Sequence, residues 1–168
     1  MNALDAIAMA TMMDLDEAAR AAGGVAEGER VAFTGVTTDS RKALPGELFV
    51  ALSGENHDGH AFVAQAFQRG AVAALVARRV GSTREMPQVI VEDTRAGLGR
   101  LAAAWRARFP LPVLALTGSN GKTTVKEMLA SILAAHCGGR DAVLATEGNL
   151  NNDIGLPLTL LRLRERHR

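Results

Sequence analysis

Residues 113–133, VLALTGSNGKTTVKEMLASIL, set the tightest limit on the fold. The run VLALT at 113–117 has the length and apolar character of a buried strand. It leads directly into a glycine loop, after which Val125, Met128, Leu129, Ile132 and Leu133 recur at the spacing of an amphipathic helix. A strand that passes through a glycine turn into a helix is one half of a βαβ unit, so the chain belongs with the α/β proteins and their mostly parallel sheets.

The loop between them, TGSNGKTT at 117–124, has the parts of a phosphate cradle. Glycines let consecutive backbone N–H groups face anionic oxygens, and a helix N-terminus adds the positive end of its dipole. A lysine brings charge to the outer phosphates, and the hydroxyl after it ligates Mg²⁺. Gly118, Gly121, Lys122 and Thr123 stand in those places. The common G-x-x-x-x-G-K-[ST] pattern is not met, because its first glycine would fall at Leu116. The competing reading is a glycine-marked turn with a solvent lysine.

The remaining sequence alternates in the same way. Leu4, Ile7, Met12, Leu15 and Ala19 predict one or two short helices ending at Gly23-Gly24. Strands are expected at 31–36, 48–52, 71–77, 88–93 and 142–146, and a helix from His60 to Gly70. Another helix carries Leu98, Leu101, Ala102 and Trp105 on one face and stops at Pro110. GSTREMP, at 81–87, has linker composition, which divides the chain into an N-terminal α/β domain, 1–86, and a second domain, 87–168. The second has too few elements to close a nucleotide-binding sheet, so the chain is expected to be part of something longer.

Composition excludes several functions. The 168 residues are 48% apolar and 22% charged with a net charge of +1, which gives no field for nucleic acid or an anionic membrane. Asp5, Asp14, Asp16 and Glu17 interrupt the apolar N-terminus, and no run approaches the ~20 residues of a membrane span. The lone Cys137 cannot form an internal disulfide and reads as packing in a reducing compartment. A cytoplasmic protein is expected. His57 and His60 lack a third ligand and are not read as zinc ligands. Trp105 reads as core, and Arg162, Arg164, Arg166 and Arg168 as a solvated tail.

TGSNGKTT resembles the phosphate loop of the Mur ligases and of folylpolyglutamate synthase. KEMLASIL at 126–133 and GNLNNDIGLPLTLLRL at 148–163 resemble the Mur branch that joins D-alanyl-D-alanine to UDP-N-acetylmuramoyl-tripeptide in peptidoglycan precursor synthesis. Residues 37–71, from TTDSR to the alanine after QRG, are similar to the uridine-nucleotide-binding domain of these ligases. The resemblance implies a small uridine-nucleotide domain followed by the first part of a parallel-sheet ATP-binding domain. It also implies ATP and Mg²⁺ as cofactors, an acyl-phosphate intermediate, and UDP-N-acetylmuramoyl-tripeptide and D-alanyl-D-alanine as substrates of a monomer.

Carried over by resemblance, Gly118, Ser119, Asn120, Gly121, Lys122, Thr123 and Thr124 hold the ATP phosphates, with Lys122 and Thr123 as the catalytic pair and Thr123 as the Mg²⁺ ligand. Thr38, Asp39, Ser40 and Arg41 contact the uridine diphosphate, and Glu55, Asn56 and His57 contact uracil. Asn149 and Asn152 lie near the sugar nucleotide. The residues alone also allow an Asx turn in TTDSR that ends a strand, and a helix cap at Asn152 or Asp153. The family's further metal ligands, a glutamate and a histidine, its carbamylated lysine and its closing C-terminal domain have no counterpart here, so the chain by itself is not expected to ligate. Another Mur ligase, folylpolyglutamate synthase and a non-catalytic nucleotide-binding module remain as alternatives.

Overall fold

The computed structural model describes residues 11–54, 57–148 and 150–168. These fall into two compact units, one running up to Leu101 and the other from Ala102 to Arg168.

The first unit is built on a five-stranded sheet. Its strands are β2 (Val25–Glu27), β4 (Gly35–Thr37), β5 (Glu47–Val50), β8 (Ala73–Val76) and β9 (Gln88–Ile90), in the order β2-β9-β8-β5-β4. The four strands from β4 to β9 are parallel, and β2 closes one edge antiparallel to β9. Two short antiparallel pairs flank the sheet: β1 (Met13–Asp14) with β3 (Ala32–Phe33), and β6 (Ser53–Gly54) with β7 (His57–Asp58).

Both faces of the sheet are covered, which is why its strands read as continuous apolar runs. On one face Phe49, Ala51, Ala74 and Val76 pack against Val63 and Ala66 of α2 (Val63–Gln68). On the other lie α1 (Leu15–Ala22) and α3 (Thr94–Arg106), where Gly97 lets α3 approach Leu75 and Val91. Asp14 caps α1 by accepting from the Glu17 N–H at 2.8 Å, and Gly23, at φ 72°, ends it in the left-handed conformation. Leu98, Leu101, Ala102 and Trp105 of α3 are all buried, as their spacing predicts.

The boundary differs from the one expected after residue 86. Residues 81–87 are not a linker but the connection between β8 and β9, tied into the first sheet. Buried Gln88 donates from Nε2 to the carbonyls of Val80 and Met86 and accepts from the Val80 N–H at 2.9 Å. A Cβ on Gly28 would lie 2.2 Å from the Thr83 carbonyl oxygen, so this loop also packs closely on the turn after β2. Glycine and serine content marked a turn here, and side-chain hydrogen bonds hold that turn inside the unit.

The second unit contains α4 (Lys122–Cys137), a 3-10 turn at Arg140–Ala142 and α5 (Gly155–Leu160). Strands were expected at 113–117 and 142–146, and neither forms. A strand requires a neighbouring ladder, and among the described residues neither run has one. Arg168 N–H bonds to the Ala142 carbonyl at 2.9 Å, and Lys126 Nζ to that of Thr146 at 2.6 Å. Val125, Met128 and Ile132 of α4 are exposed, as are Val113, Leu114 and Leu116. The arginine tail is more engaged than expected. Arg162 pairs with Glu147 at 2.8 Å, and Arg164 lies 5.7 Å above the Trp105 ring, whose Nε1–H donates to the Leu163 carbonyl. No helix among the described residues is long and apolar enough to cross a membrane.

Candidate functional site

The glycine loop of the second unit has the backbone of an anion cradle. Gly118 has φ 147° and Gly121 φ 78°, the region side chains avoid. Added Cβ atoms would meet nothing closer than 3.8 Å, so these positions need glycine for backbone angle and not for space. Gly121 caps α4, and the Val125 N–H returns to its carbonyl at 3.0 Å. The N–H groups of Lys122, Thr123 and Thr124 precede the first possible intrahelical acceptor and face the loop end of the helix.

Lys122 Nζ folds back and donates to the Gly118 carbonyl, which holds the ammonium over the loop. Ser119, Asn120, Thr123 and Thr124 are exposed. Among the described residues no cluster of three or more histidine, cysteine or carboxylate ligands could hold a metal. Mg²⁺ at a phosphate loop needs none, because a single hydroxyl, phosphate oxygens and water complete its shell. The exposed Thr123 hydroxyl on the first turn of α4 fits that requirement.

In the first unit two loops leave the carboxyl ends of the neighbouring parallel strands β4 and β5, where open α/β sheets bind ligands. After β4, the Asp39 N–H bonds to Thr37 Oγ1 at 3.3 Å and the Lys42 N–H to the Asp39 carbonyl at 3.0 Å. Arg41 grips Asp39 with Nε at 2.9 Å and a second guanidinium nitrogen at 3.0 Å, and its backbone N–H adds a third bond. This arginine lowers the Asp39 carboxyl from its ordinary 3.8 to about 2. Ser40 is buried, and its hydroxyl donates to Gln65 Oε1 of α2 at 2.6 Å. Thr38 is half-buried.

After β5, the β6–β7 pair presents His57, exposed and stacked on Phe62 with ring centres 5.4 Å apart. Glu55 and Asn56 lie outside the described residues. Asp58 is the hub of this loop. It accepts from Ser53 Oγ at 3.1 Å, from the His60 N–H at 3.0 Å, from His60 Nδ1 at 2.6 Å and from Arg78. Arg78 first, and the His60 bonds after it, hold the Asp58 carboxyl well below the usual carboxylate range.

Of the asparagines, Asn149 lies outside the described residues. Asn152 caps the turn entering α5, its Oδ1 accepting from the N–H groups of Gly155 at 2.7 Å and Ile154 at 3.3 Å. Nearby, Glu127, Arg140, Thr146, Glu147 and Arg162 line a hollow of about 240 Å³. The structure therefore gathers Thr38, Asp39, Ser40 and Arg41 in one turn, beside the loop of His57. Gln65, Asp58 and Arg78 escaped the sequence reading, and His60, expected at a surface helix start, begins a short 3-10 turn but is buried. The H-D-G-H spacing at 57–60 was the available clue, since an aspartate two residues before a histidine can reach its ring.

Residues 32–106 match the Mur ligase family catalytic domain, and residues 116–168 match the Mur ligase middle domain. The UDP-N-acetylmuramoyl-tripeptide–D-alanyl-D-alanine ligase of Escherichia coli K12 is 54% identical over 140 residues, which is 83% of this chain and 30% of that protein. MurF from Acinetobacter baumannii superposes with a TM-score of 0.82 at 41% identity, covering 94% of this chain and 35% of the other. The MurF ligase of Thermotoga maritima in complex with ADP gives 0.64 at 36% identity, over 75% of this chain and 28% of that one. The chain thus spans about 30% of the length of the curated relatives it matches. With both units matched by models of one family and a long stretch of sequence shared with its members, the chain belongs to the Mur ligase family.

Proposed function

We propose that this chain carries two working parts of a UDP-N-acetylmuramoyl-tripeptide–D-alanyl-D-alanine ligase. The first unit docks the uridine nucleotide, and the second holds the phosphates of ATP. The observation that carries this reading is the 118–124 loop, with two glycines in positive-φ backbone, Lys122 folded over it and α4 starting at its end. Relatives named for this ligation, and one solved with ADP, support the choice of reaction.

In that reaction a carboxylate oxygen of the tripeptide attacks the γ-phosphorus of ATP, the bond to the bridging oxygen breaks and ADP leaves. The amine of D-alanyl-D-alanine then attacks the acyl carbon, loses a proton, and expels phosphate as the C–O bond breaks. Negative charge concentrates on the phosphoryl oxygens, so fixed positive groups there lower the barrier. Lys122 exchanges its Gly118 carbonyl for the β and γ oxygens, and the N–H groups of 121–124 hold the remaining phosphate charge. Thr123 would hold Mg²⁺, which would supply positive charge to neutralise the phosphoryl oxygens.

Thr38, Asp39, Ser40 and Arg41 form the diphosphate side of the dock, with Ser40 held in place by Gln65. His57, with Glu55 and Asn56, meets the uracil, and Asn149 and Asn152 serve the sugar end. The whole enzyme works as a cytoplasmic monomer, and the one cysteine of this chain suits a reducing compartment.

Calorimetric titration with Mg·ATP tests the reading. Lys122→Ala is expected to weaken binding by about tenfold or more, the worth of a charged hydrogen bond to phosphate. Equal affinity in the unaltered chain and Lys122→Ala would remove the phosphate-loop assignment.

A further inference from the structure

We propose that His60 is a positioning residue for the nucleotide dock, setting β7 and its His57 against the end of β8. This rests on the reading of the first unit as a uridine-nucleotide dock.

His60, in the 3-10 turn Gly59–Phe62, is buried with 3% of its surface exposed, although His57, Asp58 and Ala61 around it are exposed. Both ring nitrogens are used. Nε2 receives the backbone N–H of Ala77, just past β8, at 2.8 Å. A backbone amide can only donate, so Nε2 is the unprotonated nitrogen and Nδ1 carries the hydrogen. That hydrogen goes to Asp58 Oδ1 at 2.6 Å. The imidazole is therefore a directional bridge, with β7 at one end and the exit of β8 at the other.

Two further contacts brace the bridge. Arg78, the residue after Ala77, binds the second oxygen of Asp58. The Gly59 N–H donates to the Leu52 carbonyl at 2.8 Å, so close that a Cβ on Gly59 would sit 2.6 Å from that oxygen. His57 thus precedes three residues whose positions are fixed from β5 and β8. Among the described residues its ring stacks on Phe62, and the residue is exposed. The β6–β7 pair, two residues in each strand, is marginal alone and needs bracing from outside it.

Two variants cut the bridge at opposite ends. His60→Asn retains a donor where Nδ1 was and removes the acceptor for Ala77. His60→Gln reaches the Ala77 N–H and leaves Asp58 without the ring donor. Val63→Ala, in the core of α2, lowers stability and leaves the bridge intact. Binding of UDP-N-acetylmuramoyl-tripeptide to the full chain is measured by calorimetry, with the unfolding midpoint alongside.

Both His60 variants are expected to bind about fivefold or more weakly, near the worth of one hydrogen bond, while Val63→Ala keeps its affinity despite a lower midpoint. In the ligand-free chain, Ala77 amide exchange should quicken in His60→Asn, and the His57 ring resonances should shift in both variants. Unchanged affinity in both His60 variants, or equal losses in Val63→Ala, would overturn the positioning role and leave the dock standing. No binding by the unaltered chain would overturn the dock itself, and the positioning role with it.

Discussion

At the scale of single residues, the first unit's candidate site is organised by short carboxylate-centred networks. Asp39 belongs to Arg41, and Asp58 to Arg78 and His60. A carboxyl whose folded pKa lies below its unfolded value stabilises the fold above the unfolded value. That contribution is lost as pH falls through the folded one. For Asp39 the loss runs from the ordinary 3.8 down to about 2. Because Asp39 and Arg41 lie at the surface, salt screens the pair and the effect on global stability is small. The titration of the group itself is the sharper readout. In Arg41→Ala, the Asp39 carboxyl followed by carbon-detected NMR is expected to move back up toward 3.8, and an unchanged midpoint near 2 would show that Arg41 is not the cause.

Elements show what sequence periodicity can and cannot decide. The helices α3 and α4 carry the same apolar spacing, yet Leu98 and Leu101 are wholly buried while Met128 and Ile132 are about 60% exposed. The pattern identified both helices, since it reports which residues share a face. It could not report whether another element covers that face, because covering is a tertiary fact. Leu98→Ala is therefore expected to cost about 2–5 kcal/mol in urea denaturation, whereas Met128→Ala should stay within about 0.5 kcal/mol. Comparable losses at the two positions would mean that the α4 face is packed. The runs at 113–117 and 142–146 carry the same lesson, because strand composition without a neighbouring ladder does not make a strand. Glycine positions were more informative, since Gly23, Gly118, Gly121 and Gly138 each mark a backbone angle that the local chemistry demands.

For the whole molecule, the alternation of strands and helices was enough to call for a parallel α/β sheet, and the first unit has one. The limit between units was not legible, because the fate of residues 81–87 hangs on the Gln88 side chain and its three hydrogen bonds. The candidate site was legible where the chemistry is local, as in the 118–124 loop. It was hidden where distant residues meet, as with Ser40 and Gln65, or His60 and Ala77. The proposed dock receives the uridine nucleotide at the carboxyl ends of β4 and β5. The most direct test is an amide chemical-shift titration of the chain with UDP-N-acetylmuramoyl-tripeptide. Saturable shifts are expected, centred on Thr38, Asp39, Ser40 and Arg41 and on His57 to His60. No shifts at all, or shifts confined to residues 118–124, would contradict it.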